Sequence, residues 1–171
     1  MSSSMKRNDI QTAMHEIPPV YDENSRVLIL GSFPSVKSRE GRFFYHHPQN
    51  RFWKVISAVL GVPVPTSVEE KKKMLLSGHL AVWDVIASCT IAGSSDSSIR
   101  DVVPNDISHI LMEADIRQIF CNGTASYNLY RKYILPMTGR EAVKLPSTSP
   151  ANAAWGLMRL TEEWSQIRQW L

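Results

Sequence analysis

Apolar and polar positions alternate in blocks along the chain, and the period of each block separates strand from helix. Residues 26–30, Arg-Val-Leu-Ile-Leu, form a short apolar, β-branched run ended by Gly31, the pattern of a strand buried on both faces. Two more such runs follow, at 80–86 and 116–121, and a shorter one at 142–145. Between them the period changes to that of a helix. At 50–60, Phe52, Val55, Ile56, Val59 and Leu60 share one side and Gly61 lies past the end. Ser67 with Glu70 three residues on opens a helix that carries a solvated Lys71-Lys72-Lys73 face. Helices are also predicted over 104–113 and 124–135, the latter capped by Thr124. The clearest stripe is the last: Leu157, Leu160, Trp164, Ile167 and Leu171 recur at helical spacing. The Ser- and Gly-rich 92–101 reads as a loop.

Strands alternating with helices predict an α/β fold: a three-layer α/β/α sandwich around a mostly parallel central sheet of about four strands. Residues 1–16 are polar and expected as a flexible N-terminal arm, with one domain over 17–171. In such sheets functional loops lie beyond the carboxyl ends of the strands. Gly31-Ser32, Asp84, Asn122-Gly123 and Pro146-Ser147 should therefore converge on one crevice.

Composition narrows the function. A chain of 171 residues, 43% apolar, suffices for a single core. The net charge of +3 suits a polyanionic partner without demanding one. Cys89 and Cys121 are the only cysteines, 32 positions apart, too few for a zinc site, a four-thiolate cluster or a disulfide framework. They read as small buried hydrophobes in a reducing compartment. No apolar run reaches membrane-spanning length and the N-terminus lacks the apolar stretch of a signal peptide. A cytoplasmic, monomeric protein without membrane contact is expected.

Two segments do not fit an ordinary core. Between Phe43 and Trp53 lie five aromatic rings and two histidines, interrupted by Pro48, Asn50 and Arg51. Aromatic faces stack nucleobases, and Arg or backbone amides hold phosphates. Phe52 and Trp53, at a helix start, read as core; Tyr45, in a loop beside His46 and His47, reads as functional. The second segment, Leu145-Pro146-Ser147-Thr148-Ser149-Pro150-Ala151-Asn152, places short hydroxyl donors between prolines. It suits either a phosphate grip or a capped strand-to-helix connection.

In order along the chain, G-S-F-P-S, F-Y-x-H-P-x-N-R-F-W, W-D-V and L-P-S-T-S-P-A-N resemble the uracil-DNA-glycosylase superfamily, and within it the hypoxanthine-DNA glycosylase branch. The resemblance runs from about Val27 to Trp155. It implies a monofunctional base-excision repair enzyme that acts on DNA containing a deaminated base, foremost hypoxanthine and secondarily uracil, without metal or organic cofactor. Most of the superfamily directs the attacking water from an Asn or Asp at the third position of the first motif. Here that position is Phe33, and the second motif begins with Leu145 instead of a polar residue. The branch places its catalytic Asn in the H-P-x-N segment, which maps onto Asn50.

The resemblance further implies roles around the base. Ser32, Phe33, Phe44, Tyr45, His47 and Asp84 are expected at the substrate. Tyr45 would stack on the flipped base, and the Asp84 carboxylate would either accept the N1–H of hypoxanthine or serve as a cap. His47 would donate to the base or hold the loop. Ser147, Thr148, Ser149, Asn152 and Arg51 are expected on DNA, with Ser32 a further phosphate grip and 152–155 a wedge. The Asn50 amide oxygen would orient water. The alternatives are a mismatch-specific uracil or thymine glycosylase, and a nucleic-acid-binding relative without chemistry. A serine hydrolase lacks its G-x-S-x-G elbow.

Overall fold

The structure, a computed structural model, describes residues 10–93 and 95–171. Residues 1–9 of the expected arm lie outside it, as does Ser94. Strands are numbered β1 (Ile10–Met14), β2 (Val27–Gly31), β3 (Leu80–Asp84), β4 (Ile86–Ala92), β5 (Arg100–Pro104), β6 (Gln118–Asn122) and β7 (Ala142–Leu145). The helices are α1 (Val36–Gly41), α2 (Phe52–Leu60), α3 (Val68–Ser77), α4 (Ser108–Glu113), α5 (Thr124–Leu129), α6 (Leu135–Thr138) and α7 (Leu157–Trp164). A π-helical stretch, Tyr130–Ile134, joins α5 to α6, and a 3₁₀ stretch, Ser165–Trp170, continues α7.

Four strands form the parallel sheet, in the order β3-β2-β6-β7. Alternation along β2 distributes its side chains to two cores. Val27 and Ile29 meet Phe52, Ile56, Leu160 and Trp164 on one face; Leu28 and Leu30 meet Ile110, Tyr130 and Ile134 on the other. Both faces are covered, so β2 is buried at every position and its apolar run needs no polar side. The sandwich expected from the alternating pattern is the one observed.

The second core has an addition that the sequence pattern did not predict. The apolar run at 80–86 is two strands: β3 ends at Asp84, and β4 leaves the parallel sheet to pair antiparallel with β1 and β5. The bend is braced by Asn105, whose Nδ2 donates to the carbonyls of Asp84 at 2.9 Å and Ile86 at 3.1 Å. β1 occupies residues expected in the loose arm, and the strand β5 occupies residues expected in the loop and in the start of the next helix. The expected 124–135 helix widens into the π turn just before Pro136, which has no N–H and crowds the carbonyl four residues back.

Register places one residue from each strand in a row at the carboxyl edge. Gly31 pairs with Asp84, Asn122 pairs with Leu145, and Leu30 beside Cys121 aligns the two halves.

Candidate active site

Above this row opens a cleft of about 390 Å³. Its floor includes Gly31, Asp84 and Asn122, one wall carries Phe44, Tyr45, His47 and Asn50, and the other Ser147, Thr148 and Ser149. Ser32 and Phe33 complete it beside Asp96. The two segments singled out in the sequence, nearly a hundred residues apart, thus face each other.

Asn50 is held by a chain of donors. Its Oδ1 accepts the backbone N–H of Phe52 at 2.9 Å, closing the start of α2, and the Thr148 hydroxyl at 2.9 Å. Thr148 in turn accepts from Asn122 Nδ2 at 3.0 Å, while its backbone N–H donates to Asn122 Oδ1 at 3.0 Å. A backbone N–H can only donate, so the atom it meets is the amide oxygen, and both lone pairs of that oxygen are used. The polar group that Asn50 has left to offer is its Nδ2–H.

Three of the expected DNA contacts have structural duties. Thr148 is fully buried in that chain of donors. Arg51 donates to the carbonyls of Ser149 at 2.8 Å, Asn152 at 3.0 Å and also Trp155, clamping the second segment from beneath. Asn152 spends its amide on the Ser147 carbonyl at 3.0 Å and lies outside the cleft lining. Ser147 and Ser149 differ: each hydroxyl oxygen accepts a backbone N–H, from Ser149 and Ala151 respectively, and keeps its own proton to donate. Ser32 donates to Asp96 at 3.0 Å.

Around the floor, Tyr45 adopts a left-handed backbone (φ 51°) and lays its ring on Phe52, centroids 4.0 Å apart. Its hydroxyl is buried without a well-formed hydrogen bond. Burial first, and the Asp84 charge second, push its phenol far up, against a smaller opposing pull from the Asn122 side chain, so it stays protonated. His47, which lines the cleft, accepts the Gln49 N–H on Nδ1 at 3.1 Å, which leaves the ring proton on Nε2. Phe33 is 8% exposed, edge-on to His15 and under the Arg39 guanidinium. Gly31 must lack a side chain, because a Cβ there would overlap Asp84 Oδ1.

Three groups carry no expected role. Asn122 was placed at the crevice edge by its strand but given none. Asp96 comes from the Ser-rich segment, whose composition marks only a loop. Burial of its carboxyl group raises its pKa, the Ser32 hydrogen bond opposes this, and the Asp84 charge adds to it. His15 lies in residues read as an arm, yet its Nε2 is 2.8 Å from Asp84 Oδ2. Among the described residues no cluster of His, Cys, Asp and Glu could hold a metal ion, and no helix is long and apolar enough to cross a membrane.

The parallel sheet carries an aromatic, amide-bearing cleft at its carboxyl edge, and comparison with known proteins places the chain in a family. Residues 18–171 match the family model of the uracil DNA glycosylase superfamily. A protein of Methanosarcina acetivorans named hypoxanthine DNA glycosylase is 33% identical over 151 residues, covering 88% of this chain and 94% of the relative. One of the same name from Methanosarcina barkeri is 31% identical over 137 residues, covering 79% and 85%. The solution NMR structure of a Methanosarcina acetivorans protein, proposed to be a uracil DNA glycosylase, superposes with a TM-score of 0.77 at 34% identity, covering 90% of this chain and 95% of that one. The chain belongs to the uracil DNA glycosylase superfamily.

Proposed function

We propose that this protein is a monofunctional DNA glycosylase that removes deaminated bases, hypoxanthine foremost, by hydrolysing the N-glycosidic bond of a nucleotide flipped into the cleft. The observation that carries the reading is Asn50: a chain of donors through Asn122 and Thr148 fixes it on the cleft wall, and two relatives named hypoxanthine DNA glycosylase align with most of the chain.

Flipping costs a few kcal/mol, least for a mispaired base. The extruded base would stack on Tyr45, whose other face is backed by Phe52. Asp84 at the floor would accept the N1–H of hypoxanthine. Ser147 and Ser149 would donate to backbone phosphates. As the bond from C1′ to N9 lengthens, positive charge spreads over the sugar and the electron pair leaves with the base. Donors aimed at the purine stabilise that anion, and the His47 Nε2–H is suited to the task. Water held by the Asn50 Nδ2–H adds to C1′ through its other lone pair and gives up a proton to solvent, while the base anion takes one up. The products are the free base and an abasic sugar. With an oxocarbenium-like sugar, positioning of water suffices without a strong base. No lysine lines the cleft among the described residues, so nothing there would form an imine with the abasic product.

Uracil also presents a ring N–H, so it remains a second substrate. Leu145, fully buried in the core, offers nothing to steady a departing uracil O2. The test is a panel of labelled duplexes containing inosine, uracil, xanthine or a thymine mispair. Excision of inosine fastest is expected; no excision from any member overturns the reading.

A further inference from the structure

The reaction outlined above uses Asp84 but leaves His15 without a part, although the His15 side chain is only 1% exposed. It is delivered by the end of β1, where its backbone N–H donates to the Ala87 carbonyl at 2.7 Å. Its Nδ1 accepts the Ile17 N–H at 3.3 Å, so that nitrogen carries the lone pair and Nε2 the proton. Nε2–H then donates to Asp84 Oδ2 at 2.8 Å. Phe33, Phe44 and Trp83 surround the ring, each 6.1 Å away between centroids. One tautomer and one orientation fit.

The consequence falls on Asp84. With Oδ2 held by a donor, the carboxylate is restrained about its own axis, and Oδ1 sits over Gly31 at the cleft floor, in space that only a glycine leaves open. We propose that His15 is a positioning residue that sets base specificity: it holds Asp84 as an acceptor facing the base, so that the site takes bases whose ring nitrogen bears a proton beside a carbonyl. Deamination of adenine creates that edge. Adenine presents a lone pair at N1 and an amino group at C6; hypoxanthine presents N1–H and O6. A lone pair against a desolvated carboxylate is repelled and leaves the carboxylate unpaired, which gives adenine no stable seat. The inference rests on the reading that Asp84 contacts the base.

The test uses the full chain with two substitutions. His15→Phe keeps a ring in the aromatic box and removes the donor; His15→Gln retains a donor able to reach Oδ2. Affinity is measured for two duplexes, one with 2′-fluoro-deoxyinosine, which resists cleavage, and one with a tetrahydrofuran abasic analogue, which has no base to read. For His15→Phe, inosine-analogue binding and single-turnover inosine excision should each fall about tenfold or more. Abasic binding should hold within about twofold, and His15→Gln should recover most of the loss. Should the Phe variant not fold, His15→Asn, too short to reach the carboxylate, takes its place. Equal losses on both duplexes, no loss on either, or a Gln variant as impaired as the Phe variant would overturn the proposal. Wild-type excision of inosine that is lost in Asp84→Asn but kept in the His15 variants would overturn this inference alone. A wild type inert on inosine would overturn the functional reading beneath it.

Discussion

At the scale of single residues, the site divides into side chains that face the cleft and side chains that hold those in place. Thr148 shows the distinction. Its sequence context suggests a phosphate contact, but it is fully buried, with its hydroxyl proton on Asn50 and its oxygen receiving Asn122. Thr148→Val keeps the shape and removes both hydroxyl bonds, which leaves Asn50 held by the Phe52 N–H alone. Single-turnover base release should fall about ten- to a hundredfold, on the scale of roughly 1.4 kcal/mol per factor of ten. DNA affinity should stay within about twofold, and Thr148→Ser should restore the rate. An affinity loss matching the rate loss would return Thr148 to the phosphate grip. Phe33 offers a contrast. It carries no hydrogen-bonding group and packs between Arg39 and His15. Phe33→Leu should therefore cost about 1–2 kcal/mol of stability, read from chemical denaturation, while much of the inosine activity remains.

At the scale of elements, what the sequence made legible follows from the range of the forces involved. The four parallel strands and α2 could be read because burial on both faces, or on one helical face, writes a local pattern. The crevice could be read because parallel strands present their carboxyl ends together. The β1-β4-β5 sheet could not: its outer strands come from a polar terminus and the edge of a Ser-rich segment, and pairing across some eighty residues makes it a sheet. His15 was hidden for the same reason, since a lone histidine in an arm gains meaning only when β1 docks. Asn50, Tyr45 and Asp84 were placed at the cleft by motif, but which atom of Asn50 remains available depends on Thr148, 98 positions away. Arg51 was read as a DNA contact because a cation beside aromatic residues suggests one, and nothing local foretells three carbonyls closing on it. Its replacement tests this. Arg51→Ala should loosen 149–155 and lower activity, while the slope of log affinity against log salt stays unchanged. A phosphate contact would instead reduce that slope by about 1.

At the scale of the whole molecule, the closely covered sheet and the open cleft make separable demands. Cys121, on β6 under the second core, is pushed up to about 12, chiefly by burial, with the Ser126 hydroxyl opposing. An acid whose folded pKa lies above its unfolded value contributes no penalty below the unfolded pKa, about 8.5 for a thiol, and a growing one as pH rises toward the folded value. The melting temperature gap between the wild type and Cys121→Ala should therefore narrow between pH 8 and pH 10; a constant gap would contradict the burial argument. The cleft, in turn, should lose chemistry without losing fold. The most direct measurement is single-turnover release of hypoxanthine from an inosine-containing duplex by the wild type and Asn50→Ala, with melting temperature and duplex affinity recorded alongside. The account predicts release by the wild type, a fall of well over tenfold in the variant, and little change in fold or affinity. A wild type that releases no base, or an Asn50→Ala protein that keeps more than about a tenth of the wild-type rate, would contradict it.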